Sequence, residues 1–246
     1  MATWRCIVHD AADATTNMAI DEAMLISGTP TLRLYTWHPS ALSIGYFQGI
    51  HEEVDLNACR HHHVDVVRRI SGGGAVYHDA QGEVTYSLVL PEAALPREVQ
   101  QSCERICTAL AAGLQRLGVD ARFSPLNDVV VNGKKISGSA QTRRRGYVLQ
   151  HGTVLLDVDV ARMFSLLRIS QAKIADKGIS DASARVTSLR HQTGEIDREE
   201  VIAALQEGFA DTFDVTLQDG TLTDDERERL PELREKYASQ DWNFQR

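Results

Sequence analysis

The stretch Arg68-Arg69-Ile70-Ser71-Gly72-Gly73-Gly74-Ala75-Val76-Tyr77-His78-Asp79 follows a β-branched run, Val64-Asp65-Val66-Val67, and precedes another, Glu83 to Leu90. One strand delivers two arginines, three adjacent glycines interrupt the pattern, and a second strand carries a histidine and an aspartate. Three glycines in a row are costly in backbone entropy and exceed what an ordinary turn requires. Without Cβ atoms they let main-chain N–H groups converge on an anion, and arginines add charge with fixed donor geometry. The spacing is not that of a P-loop, which needs a distal glycine followed by Lys and Ser/Thr, nor that of a dinucleotide fingerprint. The competing reading of the same residues is a glycine-rich connection with solvated arginines.

Outward from this stretch, strand signals fill the first two thirds of the chain. Thr3 to Val8 is a short strand, and a helix runs to Ser27 with Thr15 or Asn17 as its cap. Two strand-like runs, Thr31 to Trp37 and Ala41 to Phe47, flank the turn His38-Pro39-Ser40, and Asp55 caps a short helix. Asp79-Ala80-Gln81-Gly82 is a turn between Ala75–His78 and Glu83–Leu90. Residues 97–117 form the longest helix, with a stripe of Val99, Cys103, Ile106, Cys107, Leu110, Leu114 and Leu117 that ends at Gly118. Asn132-Gly133 between two β-branched runs signals a hairpin, and Tyr147 to Leu156 is a further strand. From about residue 157 the pattern turns helical, over 160–167, 201–209 and 224–237, with a short strand at Phe213 to Leu217. The polar stretch 170–188 lacks periodicity and reads as a loop or a short helix. Neighbouring hairpin-like strands argue against a doubly wound parallel sheet. The expectation is one α+β domain over 1–246, with a mainly antiparallel or mixed sheet and flanking helices.

The 246 residues are 43% hydrophobic and 24% charged, ordinary values for a globular chain. A net charge of −8 argues against broad nucleic-acid binding, though not against a local basic pocket. No basic segment followed by an apolar run opens the chain, and nowhere do 18 apolar residues follow one another, so secretion and membrane spanning are not expected. Cys6, Cys59, Cys103 and Cys107 are too few and irregular for a disulfide scaffold, which points to reduced thiols and a cytoplasmic protein.

Two further segments carry candidate chemistry. In Asn127-Asp128-Val129-Val130-Val131-Asn132-Gly133-Lys134-Lys135-Ile136-Ser137-Gly138-Ser139-Ala140-Gln141, a lysine on the returning strand could point at phosphates while Asp128 meets a divalent cation, for which Mg²⁺ would suit. Ser137, Gly138 and Ala140 are small enough for a ligand to lie against the backbone. The other reading is a surface hairpin. Gln150-His151-Gly152-Thr153 sets a lone histidine in a strand, a placement more common for a structural residue than for a catalyst. His78, Asp79 and His151 do not match a zinc pattern. Cys103 and Cys107 read as core, and Cys59 beside Arg60 and His61 is weak as a nucleophile.

Together, Arg68–Asp79, Asn127–Gln141 and Gln150–Leu156 resemble the lipoate–protein ligase family, within the group that also holds biotin–protein ligases and octanoyltransferases. The likeness continues through Lys236 to Phe244. It implies a catalytic domain like those of class II aminoacyl-tRNA synthetases and biotin ligases, which binds lipoate, ATP and Mg²⁺. In that family lipoate attacks the α-phosphate of ATP, and the resulting lipoyl-AMP is attacked by a lysine of an apo-lipoyl domain. The lysine preceding Ile-Ser-Gly, Lys135 here, would bridge carboxyl and phosphoryl oxygens. Arg69 and Ser71, Gly72, Gly73, Gly74 and Ala75 match the segment wrapping lipoate and adenylate. Tyr77, His78 and Asp79 match the nucleotide side, and Asn127 and Asp128 the pair that meets ATP and metal. His151 and Gly152 match the wall near the acyl group, with steric roles for Ser137, Gly138 and Ala140. The implied partners are apo-lipoyl domains of 2-oxoacid dehydrogenase complexes or the glycine cleavage H protein. The chain resembles the short archaeal-type large subunit, whose accessory domain is a separate small polypeptide rather than a C-terminal extension.

The same group contains octanoyltransferases, which move octanoyl from acyl carrier protein to a lipoyl domain, and Gly138 to Gly152 looks like their cysteine-dependent members. Those members carry a nucleophilic cysteine just before the hairpin that starts at Asp128, and Gly118 to Leu126 has none. A non-catalytic lipoyl-domain binder would lack the lysine or the glycine loop, and biotin-specific members have a Gly-Arg-Gly-Arg loop instead of Ser-Gly-Gly-Gly. On these grounds ATP-dependent lipoate ligation is the expectation.

Overall fold

The computed structural model describes residues 1–157, 159–168 and 184–245. Its larger sheet runs in the order β11 (Val215–Asp219), β1 (Ala2–Val8), β2 (Thr31–Tyr35), β6 (Glu83–Pro91), β10 (Tyr147–Leu155), β9 (Lys134–Arg144), β8 (Asp128–Val131) and β7 (Ala121–Ser124). β1 pairs in parallel with both β11 and β2, and every other pairing in this sheet is antiparallel. A smaller sheet sets β3 (Ala41–Ile44) between β4 (Asp65–Arg68), parallel, and β5 (Val76–His78), antiparallel. This is the expected α+β architecture with a mixed, mainly antiparallel sheet.

Helices cover both faces of the large sheet, which is why its central strand β6 is buried almost end to end. On one face α4 (Val99–Arg116) lays Cys103, Ile106, Cys107, Leu110 and Leu114 against Tyr86, Leu88 and Val148, beside Leu205 and Phe209 of a later helix, Arg198–Phe213. On the other face α1 (Ala14–Ser27) packs Met18, Ala19, Ala23 and Met24 against Val89, Leu149 and the helix Asp224–Ala238. The short helices α2 (Ile50–Glu53), α3 (Leu56–His61) and α5 (Val160–Leu166) close a third apolar cluster over the small sheet. Among the described residues, the further α-helices in chain order are α6 (Leu189–Thr193), α7 (Arg198–Phe213), α8 (Asp224–Ala238) and α9 (Gln240–Asn243).

Local signals hold at most boundaries. Asp55 caps α3, and Asn132 and Gly133 both take left-handed backbone angles at the β8–β9 turn. The α1 cap is Asp13, whose side chain accepts from Thr16 N, rather than Thr15 or Asn17. The two runs around His38–Ser40 are not a hairpin, because β2 belongs to the large sheet and β3 to the small one. The runs around Asp79–Gly82 part in the same way. A β-branched run announces a strand but not its partner, which burial against distant elements selects. The polar stretch 170–188 lies outside the described residues up to position 183. Among the described residues, no helix is long and apolar enough to cross a membrane.

Adjacent residues on a strand point to opposite sides, and this separates the two arginines. Arg68 turns to the C-terminal helix and donates to the carbonyls of Tyr46, Gln48 and Asn243, while its own N–H donates to Asn243 Oδ1. Arg69 turns the other way, into the junction between the sheets.

α4 and α7 cross in close contact at two glycines, Gly113 and Gly208. A Cβ on Gly208 would stand 2.4 Å from Gly113 N and 2.5 Å from Ala109 O. Gly208→Val is therefore expected to lower the free energy of unfolding by about 1–3 kcal/mol through overpacking, read as a shift in the urea midpoint. An unchanged midpoint would mean that the two helices do not approach this closely.

Candidate active site

The register of the central strands builds the site. Arg33, Ser87, His151 and Ala140 stand in one row across β2, β6, β10 and β9, and Tyr35, Thr85, Thr153 and Gly138 form the next row on the same face. Above the first row, α1 presents Asp21. Arg33 Nη1 donates to Asp21 Oδ1 at 2.8 Å, while Ser87 Oγ and His151 Nδ1 lie 2.7 and 3.0 Å from Asp21 Oδ2. Burial alone would push this carboxyl up. The hydrogen bond from His151 and the charge of Arg33 outweigh burial and hold it below the usual carboxylate range. Arg33 also donates from Nε to His9 Nδ1 at 2.9 Å, which requires a neutral imidazole. Burial and then the Arg33 charge push His9 down to about 4, consistent with that role.

The glycine loop folds around Arg69. Its Nη2 donates to Gly72 O and Gly74 O at 2.7 and 2.8 Å, and its Nη1 to Ser43 O and Oγ at 3.1 and 3.2 Å. Nε donates to Ser71 Oγ at 3.2 Å. Gly73 has φ +94°, and a Cβ there would lie 2.9 Å from Arg69 Nη2, so this position needs glycine on both counts. Burial lowers the guanidinium to about 10, which leaves it charged at neutral pH.

Two imidazoles extend the network. His151 Nε2 lies 2.6 Å from Ser71 Oγ, and His78 Nε2 lies 2.9 Å from Ser43 Oγ, with His78 Nδ1 2.8 Å from Glu83 Oε1. Thr85 Oγ1 donates to the same Glu83 oxygen at 2.6 Å and accepts from Trp37 Nε1 at 2.7 Å. The Trp37 ring stacks on His78, with centroids 4.1 Å apart.

The β8–β9 hairpin brings Lys135 to the opposite side. Its Nζ lies 2.7 Å from Asp128 Oδ1, an ionic contact rather than a well-directed hydrogen bond. Asn127 Nδ2 donates to Ser139 O and ties the hairpin to β9. A Cβ on Gly138 would fall 2.6 Å from Lys135 Nζ, so a larger residue would displace the lysine.

These groups enclose a cavity of about 200 Å³. Of the residues expected from sequence, Arg69, Gly73, Gly74, Ala75 and His78 line one side, and Asn127, Lys135, Gly138, Ala140, His151 and Gly152 the other. Ser71 and Gly72 lie just behind Arg69. Tyr77 alternates away from His78 into the cluster with Leu42 and Ile44. Asp79 accepts from Gln81 N and Gly82 N at 2.9 and 3.0 Å and holds a turn beside a separate, more open groove. Ser137 is buried off the wall, and Asp128 meets Lys135 rather than the cavity. Sequence reading missed Asp21, Arg33, Ser43, Glu83, Thr85 and Ser87. The signal for three of them is present: Glu83, Thr85 and Ser87 recur at period two in an otherwise apolar strand, a pattern that asks what the polar face meets.

All four cysteines lie off the cavity wall. The hydrogen bond with Cys103, together with burial, pushes the Cys107 thiol far up. Burial and Asp55 push Cys59 up to about 11.

His9 supplies a pH test of the Arg33 cluster. Its pKa falls from an ordinary 6.5 to about 4 on folding, so the stability it contributes is complete above pH 6.5 and is lost as pH drops toward about 4. His9→Gln should flatten the unfolding free energy across that window by on the order of 2 kcal/mol in denaturant titrations. An unaltered slope would show that His9 is not held neutral.

Residues 13–210 match the family described as the lipoyl protein ligase A/B catalytic domain. An octanoyltransferase LipM from Kyrpidia tusciae is 40% identical over all of both chains. Further full-length or nearly full-length relatives at 34–36% identity carry the same name. Among solved structures, the bipartite lipoate protein ligase of Thermoplasma acidophilum superposes with a TM-score of 0.92 at 31% identity, covering 99% of this chain and 97% of that one. A biotin protein ligase from Aquifex aeolicus, at 13% identity and a TM-score of 0.52 over 85% of this chain and 70% of its own, shares the fold alone. These findings overturn the expectation of ATP-dependent lipoate ligation, because the full-length curated relatives are transferases, and support for ATP, Mg²⁺ and lipoyl-AMP goes with it. The glycine loop and the Lys135 hairpin suggested a ligase, but the chain is similar to ligases and transferases alike, so these motifs report the shared fold and not the acyl donor. The chain belongs to the lipoyl protein ligase A/B catalytic domain family and is an enzyme of the lipoate ligase and octanoyltransferase group.

Proposed function

We propose that this chain is an octanoyltransferase, moving an octanoyl group from the thioester of acyl carrier protein to the acceptor lysine of a lipoyl domain. The observation that carries the reading is the likeness to octanoyltransferases LipM along the whole chain. A thioester already carries the free energy needed to form an amide, so the transfer needs no nucleotide. The acceptors would be lipoyl domains of 2-oxoacid dehydrogenases or the glycine cleavage H protein. The bipartite ligase that this chain resembles belongs to an archaeal lipoylation system with an E2 lipoyl domain, which supports that class of partner.

The geometry supports roles for the wall. The cavity would take the hydrocarbon tail between Met18, Trp37, Val76 and the glycine loop. Lys135, 43% exposed at its side chain, would set its charge against the carbonyl oxygen as the thioester becomes tetrahedral. Asp128 and Asn127 would hold that lysine and its hairpin in place, while Gly138 and Ala140 leave room for the acyl group. The acceptor amine loses a proton on attack, and the carrier thiolate gains one on leaving.

Incubation with octanoyl-acyl carrier protein and an apo-lipoyl domain, without ATP, should add one octanoyl group to the domain in intact mass spectra. Modification that appears only with free octanoate and ATP would overturn the reading. Lys135→Ala should lower kcat/KM by about 10²–10³-fold. Hexanoyl carrier, two methylenes shorter, should react about tenfold less efficiently than octanoyl at about 0.8 kcal/mol per buried methylene.

A further inference from the structure

Thioesters react readily with thiols, so the placement of the four cysteines bears on the path an acyl group can take. The cavity lies between the two sheets, and each thiol lies behind one of them. On β9, Gly138 and Ala140 stand on the face turned to α1, whereas Ser139 between them turns its Oγ to Tyr86 Oη at 2.8 Å and Cys107 Sγ at 3.7 Å on the α4 side. Cys103 sits one helical turn from Cys107, with the sulfurs 3.9 Å apart, and Cys6 belongs to the same apolar layer. Cys59 packs with Leu42, Ile44 and Tyr77 behind the small sheet, whose Ser43, Val76 and His78 face the cavity. The sequence holds no other cysteine, and all four are at most 4% exposed. A layer of hydrogen-bonded backbone therefore separates every thiol from a carbonyl held in the cavity. Other nucleophiles on the wall are poorly placed. Among the described residues, Ser43 is the wall hydroxyl that meets an imidazole, His78 Nε2 at 2.9 Å. Its oxygen also accepts from Arg69 Nη1 at 3.2 Å, on the side of the cavity across from Lys135, so an ester there would carry the carbonyl away from the lysine charge. Thr85 accepts from Trp37 and donates to Glu83. Lys135 would form an amide, which dissipates the free energy of the thioester and cannot pass the acyl group to a second amine.

We propose that transfer is a single displacement, in which the acceptor lysine amine attacks the carrier thioester directly while carrier and lipoyl domain are bound together, and no octanoyl-enzyme forms. This deepens the octanoyl-transfer reading and rests on it for the identity of the donor. The amine nitrogen forms the amide bond to the carbonyl carbon, the C–S bond breaks, and the proton that the nitrogen gives up ends on the carrier sulfur. The enzyme then works by holding the two arms in reacting distance at the Lys135 end of the cavity, with the lysine charge beside the carbonyl oxygen. The two partners must reach the same end of the cavity at the same time, so each has its own surface on this chain and neither displaces the other.

The test varies octanoyl-acyl carrier protein and apo-lipoyl domain together in initial-rate measurements. Intersecting double-reciprocal lines are expected, and parallel lines would overturn the inference. In a second measurement the enzyme is incubated with octanoyl-carrier alone, separated from it and weighed by intact mass spectrometry. The expected result is an unmodified chain. An octanoyl adduct that passes to lipoyl domain added afterwards would overturn the inference, whether peptide mapping places it on a cysteine or on Ser43, and would leave the transferase reading intact. A variant with Ala at positions 6, 59, 103 and 107 should keep kcat/KM within about twofold of the native value. If the four changes together prevent folding, Cys6→Ala, Cys59→Ala, Cys103→Ala and Cys107→Ala made singly carry the same expectation, and abolished transfer in any folded one of them would overturn the inference. No transfer from octanoyl-carrier at all, with modification only from free octanoate and ATP, would overturn the transferase reading and this inference with it.

Discussion

A continuous line of buried hydrogen bonds begins and ends on β6. It runs from Ser87 through Asp21 and His151 to Ser71, crosses Arg69 to Ser43 and His78, and returns to the same strand at Glu83. Members come from α1, β10, the glycine loop, β3, β5 and β6, so the line joins the two sheets and the helix above them. Polar groups this deeply buried are costly unless every partner is present. Displacing one element would leave several of them unmet at once, which fixes the mutual placement of the sheets. Arg33 is paired to Asp21 in the protein interior, whereas Arg69 is met by carbonyl and serine oxygens alone.

The same line accounts for the shape of the cavity. Arg69 pulls the carbonyls of Gly72 and Gly74 inward, and glycine at position 73 lets the loop pass close over the guanidinium. Across the gap, β9 places the small residues Gly138 and Ala140 on the cavity wall. Lys135 stands where the two sides meet. The cavity thus combines the rings and side chains of Met18, Trp37 and Val76 with the charge of Lys135.

The ligase expectation failed for an instructive reason. The residues that suggested it are the ones a shared scaffold needs to hold an acyl group and a lysine amine together. The missing cysteine between Gly118 and Leu126 weighed against a transferase, yet a nucleophile can differ in place or kind among enzymes of one fold, whereas likeness along an entire chain of relatives is harder to set aside. The separate fates of Arg68 and Arg69 show the limit of motif reading in a smaller way. Sequence presents them as one basic pair, while strand geometry sends one to the C-terminal helix and the other to the cavity.

By itself the sequence determined the kinds of element and the two segments that make the site. Glycine runs, Asn-Gly turns, capping aspartates and apolar periodicity are local, and local chemistry reads them directly. Tertiary structure alone decided which strands pair, since β2 and β3 are adjacent in sequence but lie in different sheets. It also decided that Asp21, from the middle of an apolar helix, and Glu83, Thr85 and Ser87, from a buried strand, complete the hydrogen-bond network behind the wall. Their roles depend on hydrogen bonds between residues far apart in the chain, and those bonds exist only once hydrophobic burial has brought the elements together.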